Sequence, residues 1–117
     1  MSNYMKVSLE NAPRVELHDK LGLTGAEISI NTLPAGECVP FIHSHKQNEE
    51  IYYILYGSGK VVIDSEEVDL VSGDWLKISP SAERQFFASK DNSISYICIQ
   101  TKENSLEEFT ANDAIIK

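Results

Sequence analysis

Two histidines and a glutamate carry the clearest chemical signal in the sequence. His43 and His45 lie two residues apart in FIHSHKQNEE, the spacing at which a strand turns both imidazoles to the same side. Glu50 follows five residues after His45, with Glu49 beside it, and opens the next apolar run. Two imidazoles and one carboxylate from adjacent strands form a facial ligand set for a divalent cation, with positions left open for water or substrate. Gln47 shares the side of His45 only if that strand continues. The competing reading is an exposed polar loop, but the apolar strands flanking HSHKQNEE fix the direction of its side chains. His18 stands alone in a polar stretch and reads as a surface residue. There is no Ser-His-Asp arrangement, phosphate loop or dinucleotide fingerprint, and no separate catalytic base outside the ligand set.

The elements that must position these groups are short strands. Turn signals recur at Pro34-Ala35-Gly36, Gly57-Ser58-Gly59, Asp64-Ser65-Glu66, Ser72-Gly73-Asp74, Ser79-Pro80-Ser81 and Lys90-Asp91-Asn92. Between them lie runs rich in β-branched and aromatic residues: Glu27–Leu33, Cys38–His43, Glu50–Tyr56, Lys60–Asp64, Val68–Val71, Trp75–Ser79, Gln85–Ala88 and Ser93–Thr101. Strands at this spacing predict an all-β sandwich or barrel of about eight to ten antiparallel strands. No segment has a convincing helical period, and the chain after Lys102 reads as mostly irregular. In Glu27–Leu33, Ile28 and Ile30 share one face while Glu27, Ser29 and Asn31 share the other, as in a half-buried strand. Ile51–Tyr56 is apolar on both faces, and so is Ser93–Thr101, so the outer face of each needs cover. A second subunit against Ile51, Tyr53, Leu55 and Trp75 would supply it and predicts a homodimer; the alternative cover is the segment Met5–Leu17 of the same chain.

Composition bounds the rest. The chain has 117 residues, enough for one domain (1–117) and too few for two. Its 42% apolar content supports a packed core. The net charge of −8 and the absence of a basic cluster argue against nucleic acid and anionic membranes as partners. The longest uninterrupted apolar run, Ile51–Tyr56, is too short to cross a membrane, and the N-terminus lacks a secretory pattern. A cytoplasmic setting follows, in which Cys38 and Cys98 are expected as buried free thiols, with a single disulfide as the alternative.

The run Gly36-ECVPFI-His43-S-His45-KQNE-Glu50-IYYILY-Gly57 resembles the first motif of the cupins: Gly, about five residues, His-x-His, three or four residues, Glu, six residues, Gly. The distance to Gly57 selects Glu50 over Glu49 as the ligand equivalent. The second motif is partly kept in Gly73-DWLKI-Ser79-Pro80-Ser81-AE-Arg84-QFF-Ala88, where Arg84 stands at the position of a third histidine. The resemblance covers roughly 33–88 and implies a small jelly-roll β-barrel, often dimeric, holding Fe, Mn, Ni or Zn through His43, His45 and Glu50. Arginine cannot ligate. Arg84 is therefore expected to pair with Glu50, to clamp a substrate carboxylate, or to turn to solvent. A pocket lined by Phe41, Tyr52, Ile54, Leu76, Ile78 and Phe86 would suit a small, partly apolar ligand. Of these, Tyr52, Phe41 and Ile78 join Arg84 as expected substrate contacts. Two functional readings stay open: a domain binding a divalent metal, a small molecule or both, and a metal-dependent enzyme of dioxygenase or isomerase type.

Overall fold

Side-chain alternation governs the fold, because each strand must turn one face to the core. The computed structural model describes residues 2–117. It contains β1 (Arg14–Glu16), a single helical turn α1 (His18–Leu21), β2 (Glu27–Leu33), β3 (Asn48–Ile63), β4 (Glu66–Val71), β5 (Trp75–Ile78), β6 (Arg84–Ala88) and β7 (Ile94–Lys102). A 3-10 turn at Thr110–Asn112 follows. All pairings are antiparallel. The first half of β3 pairs with β7 and β5, and β7 continues through β2 to β1. The second half of β3 pairs with β4 and β6. One strand thus runs through both sheets of an all-β jelly roll.

β3 unites two segments that the sequence pattern separates at Gly57-Ser58-Gly59. The glycines serve close approach rather than a reversal. Gly57 has φ +87°, and a Cβ there would collide with the Ser93 carbonyl; one on Gly59 would collide with the Phe87 carbonyl. The register slips between Ile54 and Tyr56, leaving Leu55 as an extra residue. The slip reverses which residues face inward: Glu50, Tyr52 and Ile54 are buried before it and Val61 after it. The slip lies after Ile51 and Tyr53, which stay on the outer face. Two further expectations change. Cys38–His43 forms no strand, only isolated bridges from Cys38 to Phe87 and from His43 to Arg84. The single helical turn at His18–Leu21 is too short to carry a periodic pattern.

The core comprises Tyr52, Ile54, Val61, Leu70, Ile78, Phe86, Ile94, Tyr96 and Cys98. On β2 the polar face is the inward one: Ser29 and Asn31 are buried, whereas Ile28 and Ile30 lie on the outer face. Buried polar groups need partners, and Asn31 Nδ2 donates to Ser29 Oγ at 3.0 Å. Both cysteines are free, but Cys38 is exposed rather than buried, because Val39 beside it turns inward against the core. Among the described residues no helix is long and apolar enough to cross a membrane.

Candidate metal centre and adjoining cavity

Inward alternation on β3 delivers Glu50 to the barrel interior and sends Glu49 to the opposite face. His43 sits opposite Arg84, held by His43 N–H to Arg84 O (3.1 Å) and Arg84 N–H to His43 O (3.0 Å). His45 is fixed two residues on by its N–H to Pro80 O at 2.7 Å. The result brings His43, His45 and Glu50 together, with one potential ligand atom from each inside a 4.8 Å span. His43 Nε2 lies 3.6 Å from Glu50 Oε1, and His45 Nε2 lies 3.1 Å from Glu50 Oε2. The two imidazoles meet edge to face at 5.1 Å. Gln47 is exposed, and its carbonyl accepts from Glu103 N–H.

Glu50 is the hub. It is 3% exposed. The Tyr52 hydroxyl donates to Oε1 at 2.6 Å, and the Cys98 thiol donates to Oε2 at 3.3 Å. Arg84 Nη1 stands 3.7 Å from Oε1. Burial pushes the Glu50 carboxyl up, but the Tyr52 and Cys98 hydrogen bonds and the charges of His45 and Arg84 outweigh it, so the group titrates below the ordinary carboxylate range. Burial dominates at His43 and holds its imidazole below the usual value, against the pull of Glu50. Burial also raises the Tyr52 phenol and the Cys98 thiol, which keeps both protonated as donors to Glu50. His43 Nδ1 has no hydrogen-bond partner, and His45 Nε2 makes no well-aligned hydrogen bond although it lies 3.1 Å from Glu50 Oε2. Imidazoles so placed beside a charged carboxylate fit a divalent cation.

A cavity of about 440 Å³ opens from this group. Phe41, Tyr52 and Phe86 line it, as expected, together with Val39, Leu33 and Tyr96. Phe41 is 58% exposed at the mouth, its ring edge-on to His43 at 5.9 Å. Ile54, Leu76 and Ile78 do not line the cavity. Ile78, opposite Glu50 on β5, is buried in the core instead, so contact with a ligand there is corrected to packing. Arg84 is 0% exposed, which removes the solvent position for this residue. It also lies outside the cavity lining, with Nη2 donating to Ser79 O at 2.7 Å and Nη1 turned to Glu50. Of the expected roles, the geometry matches the pair with Glu50. Cys98, Gln100, Asn31 and Arg14 also face the cavity. The signal for the first three lay in the inward parity of β2 and β7.

An antiparallel jelly roll with a His-x-His and a glutamate turned inward defines a barrel protein built around an interior site. The cupin domain model matches residues 29–100, and the chain belongs to the cupin family. A cupin protein of Bacteroides fragilis is 56% identical over 100% of this chain and 99% of its own, with a TM-score of 0.97. A predicted oxalate decarboxylase of Thermotoga maritima is 23% identical, covers 64% of each chain and has a TM-score of 0.60. A sugar phosphate isomerase of Silicibacter pomeroyi is 22% identical over 77% of this chain and 60% of its own, with a TM-score of 0.67. An uncharacterised protein of Methanocaldococcus jannaschii is 30% identical over 67 residues, and the chain spans about half the length of that curated relative (54%).

Proposed function

We propose that this chain is a binding domain that holds a divalent metal through His43, His45 and Glu50 and receives a small molecule in the adjoining cavity. The supporting observation is the convergence of His43, His45 and Glu50, with one potential ligand atom from each inside a 4.8 Å span. Nitrogen and oxygen donors suit Fe, Mn, Ni or Zn. A bound cation would supply Lewis acidity to a ligand oxygen. Tyr52 and Cys98 orient Glu50, as partners of a ligating carboxylate do. Arg84 supports a weaker site than three imidazoles would give, because its fixed charge competes for Glu50 and repels a cation. A second reading, a metal-dependent enzyme, is favoured by the ligand group facing the cavity, where a substrate would reach a bound cation. The fold neighbours include a sugar phosphate isomerase and a predicted oxalate decarboxylase. The free thiols accord with a cytoplasmic setting.

Protein stripped with EDTA, reloaded with Fe, Mn, Ni or Zn and dialysed should retain one equivalent of at least one metal. The double variant His43→Ala/His45→Ala should retain none. Arg84→His should bind Zn or Ni about tenfold more tightly or better. Wild-type protein that keeps no metal ends the metal reading. Oxygen-uptake and isomerase assays on loaded protein then separate enzyme from binder.

A further inference from the structure

The cavity has a second polar end, on β1, that the metal-ligand group does not use. Register sets Arg14 opposite Asn31, so both side chains rise from the inward face, and Asn31 in turn stands opposite Tyr96. Arg14 Nη1 donates to Asn31 Oδ1 at 2.6 Å, and Asn31 Nδ2 donates to Ser29 Oγ at 3.0 Å. Asn31 and Ser29 are 7% and 2% exposed, so a buried relay fixes the guanidinium from behind. The Arg14 side chain itself is 52% exposed, and all three residues line the cavity. Glu16 Oε1 approaches Arg14 Nε at 3.6 Å. A guanidinium has five N–H donors, so Asn31 and Glu16 leave donors for a ligand.

Among the described residues, Arg14 is the one lysine or arginine lining the cavity, and Glu50 the one acid. Aromatic side chains supply much of the rest of the lining. Phe86 stacks on Tyr96 at 4.8 Å, and Tyr52 lies 4.5 Å from Phe86. The field of Arg14 reaches this interior: it opposes the upward shift that burial imposes on Tyr96 and Cys98.

We propose that Arg14 anchors a ligand carboxylate, and that the cavity takes a small monocarboxylic acid with a flat apolar body. The inference rests on the small-molecule reading above but not on a bound metal. One guanidinium matches one carboxylate in charge and fork geometry. A phosphate dianion would need further cations, and the cavity lining offers none beyond the two histidines. Because the protein carries a net charge of −8, an anion reaches this cavity only through a local, pre-positioned donor.

Benzoate and benzamide, nearly identical in shape but different in charge, are the probes. Each is titrated into isotope-labelled protein in EDTA and again after zinc loading. In EDTA, wild-type protein should bind benzoate about tenfold more tightly than benzamide. Arg14→Gln should abolish that preference, with benzoate losing far more affinity than benzamide, and an unchanged amide fingerprint away from β1 reports an intact pocket. Arg14→Lys should keep part of it. A preference that survives in Arg14→Gln overturns the proposal. A preference seen only with zinc assigns the carboxylate to the metal and overturns it too. Binding of neither probe removes the proposed ligand class. The two readings fail separately: a preference that holds in EDTA and is lost in Arg14→Gln needs no metal, whereas the metal reading stands or falls on metal retention alone.

Discussion

Burying an arginine costs several kcal/mol unless a carboxylate and hydrogen-bond acceptors meet it. Arg84 Nη2 donates to Ser79 O, while Nη1 stands 3.7 Å from Glu50 and, like Nε, makes no hydrogen bond; Glu50 is itself held by Tyr52 and Cys98. The cluster therefore ties stability to proton uptake in the metal-free protein. His43 has a folded pKa below 6.5, so the unfolded chain takes up its proton first, and stability falls as pH drops through about 6.5. Glu50 has a folded pKa below 4.5, so its contribution is present above that value and is lost as pH falls through the folded pKa. Denaturant midpoints measured in EDTA should thus decline in two stages, the first setting in as pH falls through about 6.5. His43→Gln should flatten that first stage. An unchanged decline in the variant would assign it to other groups.

Strand parity made much of the barrel legible from sequence. Val68–Val71, Trp75–Ser79, Gln85–Ala88 and Ser93–Thr101 fall within two residues of the boundaries of β4 to β7. The ligand group was legible because His43, His45 and Glu50 lie within eight residues of chain. Arg14, Asn31 and Cys98 were not, since only the pairing of β1, β2 and β7 brings them to one wall. The merging of β3 was hidden because glycine signals both a turn and a close approach of backbones. Gly59 is the second kind: its Cβ would enter the Phe87 carbonyl on β6. Gly59→Ala should therefore force β3 and β6 apart and destabilise the protein by about 2 kcal/mol or more, read from the thermal midpoint. A variant as stable as wild type would show that β6 moves freely.

The outer face of the larger sheet bears two apolar rows. Ile28, Ile99 and Ile51 stand in register with Lys77, and Val15, Ile30, Ile97 and Tyr53 in register with Trp75. Tyr53 and Trp75 pack at 4.4 Å, yet Trp75 remains 66% exposed. Within the N-terminal segment Val15 joins this face, while Met5 is 60% exposed and Leu9 39%. A second copy of the chain is the proposed cover, because aromatic and aliphatic rows of this kind concentrate at interfaces. Sedimentation at micromolar concentration should give twice 13.1 kDa. Trp75→Ala should weaken the dimer by about 2 kcal/mol. A 13.1 kDa species in wild-type protein would end the dimer.

The path of β3 has a consequence for how the molecule breathes. Because β3 pairs with β4, β5, β6 and β7, neither sheet can peel away without releasing half of it. Hydrogen exchange at Tyr52 and at Val61 should therefore be similarly slow, and markedly different rates at the two would show that the sheets open separately. Edge strands such as β1 can fray on their own. Glu50 thus lies on a strand paired on both sides, and Arg14 on the edge strand of the same sheet, so amide exchange should be slower at Glu50 than at Arg14.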